Sequence, residues 1–456
     1  MSKKLNKTVL FIFSAIGYFK EASPVCKRFS ENNWKVIIFL CFYDHNIKSI
    51  KNFAKINKIQ IIFLPREIAY GDSKKKTLSS YSKKNIYSIF IRLLSIPYLI
   101  YRNLENKKKI ISILKNIKPK CVFMGAFHSS GEIDNVALNY FKGLSTNCYC
   151  IPNSDYLGEK VLIDSRQNFL SLSMISNVIR SDFDLINKIF SLFFKSWLRN
   201  LKNVDVFFWD PIKIITDKLS GVGMEKMWLK PSVLFDKVFV FSEISKKMLI
   251  SDGYAKEKVI VSGQPYLDSI KRNQMNNDLK KKMMNYLKVE EGKFLLLNVE
   301  PSAEHNYCGW VEHWKNFQKI LTNLKKNNLP IVLSLHPLCN YENYKFAEKK
   351  YKVKISRNYS IHELYPFCKA VVSFPCSTNF LSLIFNKKLI IYDLFNISKG
   401  SEKIKVHKIK GSRIVYSAND LFPLKINIKT NIKKQPKKQN FSSDIIYNHI
   451  NTNINS

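Results

Sequence analysis

The amino-acid sequence indicates an α/β protein with two domains, each built on a doubly wound parallel sheet. Short apolar runs at 330–335, 370–374 and 389–392 are separated by segments of helical length. Runs that are apolar on both faces and spaced in this way are typical of buried parallel strands. The chain of 456 residues is also long for a single hydrophobic core, which favours two domains.

The first half of the chain repeats this alternation. Its strands and helices form a series that right-handed crossovers would wind into one sheet. The predicted elements are strands at 8–13, 35–42, 59–64, 121–124 and 147–151, with helices at 18–32, 47–56, 86–117 and 132–141. The irregular, aromatic-rich stretch 156–235 is interpreted as an insertion, and strands at 237–241 and 258–261 follow it. We therefore predict a first domain of residues 1–270.

The second domain is predicted to span 271–424. It begins with a polar, Lys-rich linker and helix at 273–291, and its first strand is 294–299. Beyond residue 424 the sequence is rich in Lys, Asn and Gln, and such a composition buries too little apolar surface to fold. We expect 425–456 to be a basic, weakly ordered tail.

The formal net charge is +39, and of the 74 basic residues 64 are Lys and 10 are Arg. These residues are spread along the chain, whereas nucleic-acid binders concentrate charge and use Arg for bidentate contacts, so we expect no nucleic-acid partner. Attraction to anionic membranes or phosphorylated substrates follows equally well from the charge. The nine cysteines are odd in number and form no CxxC pair, which favours a reducing compartment.

No stretch reaches the ~20 apolar residues that span a bilayer. The start of the chain is better explained by a first strand than by a signal peptide. Residues 186–201 combine aromatic and basic side chains, which suits either a helix lying on a membrane surface or an amphipathic helix packed on its own domain. The expected location is cytoplasmic, with the inner face of the plasma membrane as an alternative.

Two motifs follow strands of the second domain. His336-Pro337 ends one strand, and Ser377-Thr378 opens the helix after another. The carboxyl ends of parallel strands meet at one edge of a sheet, where a histidine and the free N–H groups of a helix start could hold a phosphate. The alternatives are a structural loop histidine and ordinary helix capping.

These motifs resemble those of GT-B-fold bacterial glycosyltransferases. Residues 238–268 are similar to the GT-B crossover region, and His336-Pro337 and Ser377-Thr378 to motifs of sialyl- and polysialyltransferases, capsule Kdo transferases and CDP-glycerol glycerophosphotransferases. The resemblance runs from about residue 8 to 393. It implies two Rossmann-like domains facing a cleft, and places His336, Pro337, Ser377 and Thr378 at the donor phosphate. Gly263, in the crossover stretch, joins the candidate donor-binding set.

The layout also resembles nucleotide-sugar 2-epimerases. After the strand 294–299 the sequence reads Glu300-Pro301-Ser302-Ala303-Glu304-His305-Asn306, where those epimerases carry a His-Arg-x-Glu-Asn signature. The acidic signature of the sialyltransferases is not evident in the first domain either. We expect Glu300 and His305 to contact the donor or the acceptor.

Glycosyl transfer needs an acceptor hydroxyl to be deprotonated and a leaving phosphate to be stabilised. Glu132 or His128, at a strand end of the first domain, is the candidate base, although Glu132 fits equally well as a first-turn helix carboxylate. Glu363 is a candidate contact to the nucleotide ribose or base, with a capping box with Ser360 as the alternative. No DxD triplet and no close His/Asp cluster stands out at these strand ends, so we expect no metal and no cofactor.

The predicted function is a metal-independent glycosyltransferase that moves a sugar from a nucleotide-activated donor to a surface polysaccharide or lipid-linked glycan, as in capsule or lipopolysaccharide synthesis. Its partners would be the nucleotide-activated sugar and the glycan acceptor. Three alternatives remain: a 2-epimerase, a polyol-phosphate transferase on the same fold, and a non-catalytic glycan- or nucleotide-binding protein.

Overall fold

A computed structural model describes most of the chain, namely residues 7–14, 16–43, 47–65, 68, 86–125, 131–152, 179–180, 185–201, 204–207, 211–223, 234–274, 277–304, 308–336, 339–394, 412–424 and 441–455. The chain divides into two compact units between Asp268 and Ser269. The first unit contains the described residues up to Asp268 together with 441–455, and the second contains those of 269–424.

The first unit is built on a seven-stranded sheet with the order β10-β9-β5-β4-β1-β2-β3, and its strand pairings are parallel. The strands of this unit are β1 (Thr8–Phe13), β2 (Lys35–Leu40), β3 (Gln60–Phe63), β4 (Cys121–Met124), β5 (Asn147–Cys150), β6 (Ile179–Arg180), β7 (Leu198–Leu201), β8 (Val204–Phe207), β9 (Lys237–Val240) and β10 (Val259–Val261). The helices are α1 (Ile16–Glu31), α2 (Ile47–Ile56), α3 (Ile86–Leu114), α4 (Gly131–Gly143), α5 (Leu185–Phe193), α6 (Pro211–Leu219), α7 (Glu243–Ser251) and α8 (Tyr266–Gln274), of which α8 crosses the division between the units.

Strand β1 shows why this sheet is buried on both faces. Its alternate residues contribute to two separate cores, Leu10 and Ile12 to one and Val9 and Phe11 to the other. Successive side chains of a strand point to opposite faces, so an unbroken apolar run fills both layers. The ring of Phe11 stacks on that of Phe123 of β4 at 4.8 Å between centroids.

The stretch predicted to be an irregular insertion contains a second, small sheet. Strands β6, β8 and β7 pair antiparallel in that order. The expectation of irregular structure was therefore wrong for 198–201 and 204–207, where Leu198 pairs with Phe207 and Leu201 with Val204. Residues 186–201, expected as one helix, form α5, a 3₁₀ turn (Lys195–Trp197) and β7.

The second unit is built on a six-stranded parallel sheet with the order β13-β12-β11-β14-β15-β16. Its strands are β11 (Leu295–Val299), β12 (Ile331–Leu335), β13 (Lys354–Ile355), β14 (Ala370–Ser373), β15 (Lys388–Tyr392) and β16 (Arg413–Val415). Its helices are α9 (Asn277–Leu287), α10 (Trp310–Lys325), α11 (Tyr341–Tyr344), α12 (Phe346–Tyr351), α13 (Ile361–Leu364) and α14 (Leu381–Ile384). One core packs the sheet against α10, through residues such as Leu297, Phe317 and Leu321.

Of the predicted weakly ordered tail 425–456, residues 425–440 and 456 lie outside the described part of the chain, and the prediction was wrong for 442–455. Residues Ser442–Asn455 form helix α15, which belongs to the first unit. Its Ile446, Tyr447 and Ile450 are buried in the core that also contains Phe29 of α1. The apolar spacing of these three side chains is that of one helical face, and burying that face stabilises the helix despite its polar composition.

Two further expectations can be compared with the described residues. All nine cysteines are free thiols. Among the residues that the structure describes, no helix combines the length and the apolar content needed to cross a membrane.

Candidate functional site

The carboxyl edge of the second sheet carries a polar residue or loop after each of four neighbouring strands. His336 follows β12, Glu300 follows β11, the loop 374–376 follows β14, and Asp393 follows β15. The strand ends are in register, since Val299 pairs with Leu335 and Ser373 with Ile391. In parallel sheets this edge is where ligands bind.

Asn298, near the end of β11, connects that strand to the loop after β14. Its buried side-chain amide Nδ2 lies 3.0 Å from Ser373 Oγ, 3.3 Å from Thr378 Oγ1 and 3.4 Å from Cys376 Sγ. Two amide hydrogens are thus shared among three acceptors. The amide fixes the start of the Ser377-Thr378 segment relative to the sheet.

The loop itself is held by further side-chain contacts. Cys376 Sγ lies 3.0 Å from Thr378 Oγ1, and Asn379 Nδ2 donates to the Phe374 carbonyl at 2.9 Å. Burial raises the pKa of the Cys376 thiol above 9.0, so this thiol stays protonated at neutral pH and is unsuited to act as a nucleophile.

The helix expected after this loop is short. Ser377–Phe380 forms a 3₁₀ turn, and α14 adds a single turn after it. Cys376 occupies the N-cap position and makes no side-chain capping bond there. The side chain of Ser377 lies outside the described part of the chain. Asn379 N donates to the Cys376 carbonyl at 3.2 Å, and the backbone N–H groups of Thr378 and Asn379 also interact with the Cys376 thiol.

Glu300 is a buried carboxyl at the same edge. Burial, and secondarily the charge of Asp393, raises its pKa from 4.5 to about 8. Its backbone is fixed by Tyr392, whose hydroxyl accepts from Glu300 N at 3.0 Å and donates to the Asn298 carbonyl at 2.8 Å. A carboxyl with this pKa is mostly neutral at pH 7 and can donate a hydrogen bond or a proton.

His336 is half-buried at the end of β12. Its carbonyl accepts from Cys339 N at 2.8 Å, and its ring centroid lies 6.5 Å from that of Phe374. The predicted neighbours His336 and Thr378 are therefore brought to the same edge, in the segments that follow β12 and β14, the two strands on either side of β11. Pro337 and His305 lie outside the described residues.

Glu363 forms the capping box that was the alternative to a nucleotide contact. Its Oε2 accepts from Ser360 N and from Ser360 Oγ, each at 2.8 Å, at the start of α13. One carboxylate oxygen thus holds the helix start, which favours the capping interpretation.

A polar chain next to Glu300 was missed by the sequence analysis. Ser302 Oγ lies 2.7 Å from His313 Nδ1, and Tyr344 OH lies 2.9 Å from His313 Nε2. The Tyr344 hydroxyl also lies 3.0 Å from Glu304 Oε1. Burial lowers the pKa of His313, so the imidazole is neutral at pH 7 and bridges two hydroxyls. The chain anchors the turn after β11 to helices α10 and α11.

The two candidate bases, His128 and Glu132, belong to the first unit. His128 lies outside the described residues, and Glu132 is the second residue of α4, with its side chain likewise outside them. Nearby, buried Asp134 accepts from Ser14 Oγ, the residue after β1, at 2.8 Å.

Gly263 has a local structural role in the first unit. Its φ is +79°, and a Cβ there would lie 2.7 Å from Ser442 Oγ at the start of α15. Glycine is required by both the backbone angle and the close approach. The predicted donor contact of Gly263 stays a prediction.

Within the described ranges, no group of three or more His, Cys, Asp or Glu side chains is placed to hold a metal ion.

No protein-family profile matches the sequence, and no curated protein matches it. Solved structures do match over nearly the full length. A putative UDP-N-acetylglucosamine 2-epimerase from Listeria monocytogenes is 11% identical with a TM-score of 0.54, covering 98% of this chain and 96% of its own. The UDP-GlcNAc 2-epimerase from Neisseria meningitidis, solved with UDP-GlcNAc, is 14% identical with a TM-score of 0.53, covering 98% and 99%. S. aureus MnaA, solved with UDP, is 13% identical with a TM-score of 0.53, covering 98% and 97%.

The chain shares their GT-B-like fold. The predicted architecture of two Rossmann-like, parallel-sheet domains is therefore confirmed. At identities of 11–14% the likeness shows the fold and leaves the reaction to be argued from residues. The finer resemblance to sialyl-, Kdo- and glycerophosphotransferases stays a prediction.

Proposed function

We propose that the chain is an enzyme acting on a nucleotide-activated sugar, which binds through the carboxyl edge of the second sheet. The observation that supports this most is the Asn298 amide network, because it fixes Thr378 and the loop after β14 beside the end of β11. With His336 at the end of β12, the edge offers an imidazole and the Thr378 hydroxyl, two groups that can donate hydrogen bonds to a diphosphate.

Glycosyl transfer is the reaction we put first. In it, His336 and Thr378 would neutralise the charge that develops on the leaving nucleotide phosphate. Glu300, neutral at pH 7 because its pKa is raised to about 8, would donate a hydrogen bond where a carboxylate would repel the phosphate. Glu132 or His128 would deprotonate the acceptor hydroxyl, which we expect to belong to a surface polysaccharide or lipid-linked glycan.

Epimerisation at C2 of a nucleotide sugar is the second candidate. It is favoured by the likeness to 2-epimerase structures over 98% of the chain. It is disfavoured by the sequence Glu300–Asn306, which stands where the resemblance leads us to expect a His-Arg-x-Glu-Asn signature.

Thermal-shift measurements with UDP, CDP, GDP and CMP and their sugars test the nucleotide site. A ligand at about 100 times its Kd stabilises the native state by about 2.7 kcal/mol. Thr378→Val and His336→Ala should each lose most of the shift. Thr322→Val is the matched control, because that hydroxyl is exposed and donates only to the Gln318 carbonyl of its own helix. The proposed nucleotide site is wrong if no nucleotide raises the melting temperature of the wild type. It is also wrong if Thr378→Val and Thr322→Val show the same shift.

The two reactions differ in their products. With UDP-GlcNAc as the sole substrate, an epimerase gives a mixture of UDP-GlcNAc and its C2 epimer, and free UDP does not accumulate. Proton NMR distinguishes the two sugars. A transferase releases nucleotide only when an acceptor is supplied, and a binding protein does neither. Formation of the C2 epimer by wild type would replace the transferase proposal with the second candidate.

A further inference from the structure

The long helix α3 exposes a continuous apolar face. From Leu93 onward, its most exposed apolar side chains are one helical stripe: Leu93, Leu94, Pro97, Tyr98, Tyr101 and Leu104. Leu94 is 62% exposed and Tyr101 64%. These positions fall on one side of a 3.6-residue helix, while the buried Asn103 marks the side that packs on the protein. We call this stripe the α3 face.

Helix α5 of the same unit exposes apolar residues in a similar way. Leu192 is 70% exposed and Phe193 75%, with Ile189 one turn earlier also exposed, whereas Asn187 is buried. Large apolar side chains exposed in groups mark interaction surfaces, whereas single ones are ordinary.

Helix α6 contacts α3 and the 3₁₀ turn that follows α5. Asn103 Nδ2 of α3 donates to Asp217 Oδ1 of α6 at 3.0 Å, and Lys107 Nζ donates to the Ser220 carbonyl at 3.4 Å. Lys218 Nζ of α6 lies 4.5 Å from the ring centroid of Trp197, just after α5. The last residue of α6, Leu219, is itself exposed. The apolar residues of α3, α5 and α6 thus belong to neighbouring elements.

The charges on these elements decide the kind of partner. Between Leu93 and Leu114, Glu105 is the one acidic residue, against Arg102, Lys107, Lys108 and Lys109. The stretch 185–201 contains Lys188, Lys195 and Arg199 and no acidic residue. Apolar and aromatic side chains bordered by lysines match an anionic lipid surface, where chains enter the interface and lysines face the headgroups.

We infer that the α3 face, together with the exposed residues of α5, docks the first unit on an anionic lipid bilayer surface. Tyr98 and Tyr101 suit this setting, because their rings are apolar and their hydroxyls polar, as at membrane interfaces generally. The net charge of +39 adds long-range attraction to the same surface. The inference does not depend on which sugar reaction the protein performs.

Co-sedimentation of the full-length protein with vesicles tests the inference. The vesicles are phosphatidylcholine alone, or phosphatidylcholine with about 30% phosphatidylglycerol, at about 0.15 M salt. Wild type should partition onto anionic vesicles, and the triple variant Leu94→Ser/Tyr98→Ser/Tyr101→Ser should lose about tenfold or more of that partitioning. The control Ile56→Ser/Val311→Ser changes two residues that are as exposed, at 79% and 85%, but outside the surface, and should bind like wild type.

A second variant separates the charge contribution from the apolar one. Lys108→Gln/Lys109→Gln, both exposed, should reduce the preference for anionic over neutral vesicles and leave the weaker binding to neutral vesicles unchanged.

The inference is overturned if wild type stays in solution with anionic vesicles, or if the triple variant and the control bind equally. It is also overturned if neither wild type nor the triple variant binds vesicles and sedimentation velocity shows that wild type is a dimer and the triple variant a monomer. The surface would then join two copies of the chain.

Discussion

Asn298 is the residue on which the geometry of the candidate nucleotide site depends most directly. Its amide joins β11 to three side-chain acceptors that lie 75 to 80 positions later in the chain. No sequence pattern predicts this contact, because Asn298 and its acceptors come together only when β11 and β14 pair in the folded sheet. Sequence reasoning could place His336 and Thr378 at strand ends, since apolar runs reveal where strands stop. It could not reveal the amide that holds them in place.

Replacing Asn298 by Ala should therefore affect both stability and ligand binding. Without the amide, buried Ser373 and half-buried Cys376 lose a hydrogen-bond donor, at an expected cost of about 1–3 kcal/mol in the free energy of unfolding. Nucleotide affinity should also fall, because Thr378 loses its support. Urea denaturation and calorimetric titration measure the two effects.

Asn323→Ala is the control for that variant, since the Asn323 amide is also buried but donates within its own helix, to the Lys319 carbonyl. It should cost stability without changing nucleotide affinity. Unchanged affinity in Asn298→Ala would mean that the amide network supports only the fold.

Glu300 should make the stability of the protein depend on pH. Its pKa is 4.5 without burial and about 8 in the folded chain, so the folded state holds the proton more tightly than the unfolded state. The stabilisation is complete below pH 4.5 and is lost as pH rises towards 8. Each unit of pKa corresponds to about 1.4 kcal/mol, so the total is on the order of 3–5 kcal/mol.

Glu300→Gln removes the titrating group and keeps its shape. In urea denaturation, wild type should lose stability relative to this variant between pH 5 and about 8. The exposed Glu312 provides the control, and Glu312→Gln should follow wild type at every pH. Parallel curves for wild type and Glu300→Gln would show that the carboxyl is ionised in the folded protein.

Among the secondary-structure elements, helix α15 was not predicted, because its composition is mostly polar. The strands that were predicted from apolar runs lie within two residues of their observed bounds, as for Cys121–Met124, whereas the short edge strands β13 and β16 were not predicted. Helix α15 is mostly polar, and only Ile446, Tyr447 and Ile450 mark its buried face. The missed strands β7 and β8, with the sequences LRNL and VDVF, contain polar residues and therefore do not form the unbroken apolar runs by which the other strands were recognised.

The start of α15 rests on a single carboxylate. Asp268 Oδ1 accepts from Ser442 N at 3.0 Å and Oδ2 from Ser443 N at 2.7 Å, in a buried site. Asp268→Ala should cost about 1–2 kcal/mol through lost N-terminal hydrogen bonds, and should speed proteolysis within 441–455. Asp252→Ala, at the C-terminal end of α7, is the control. Equal proteolysis of the two variants would show that apolar packing alone secures the helix.

At the scale of the whole molecule, the two units were predictable because each repeats strands, helices and strand-end loops. The packing of the C-terminal helix α15 on the first unit was not predictable from the sequence. It depends on a surface that α1 and the sheet form only in the folded chain. Each unit also contains one buried glutamate with an unusual pKa. Burial chiefly raises that of Glu21 in the first unit, again to about 8, with Asp268 adding to the effect and hydrogen bonds from Gln264 and Tyr266 N opposing it.

Because Glu21 and Glu300 belong to different units with separate cores, their effects on stability should be separable. Both units should lose protection from hydrogen exchange as pH rises from 5 to about 8, after correction for the intrinsic exchange rate. Glu21→Gln should restore protection at pH 8 only in peptides of the first unit, and Glu300→Gln only in those of the second. If either variant restores both units equally, the two units open as one cooperative structure, and a nucleotide bound at the second sheet would then protect the first unit as well.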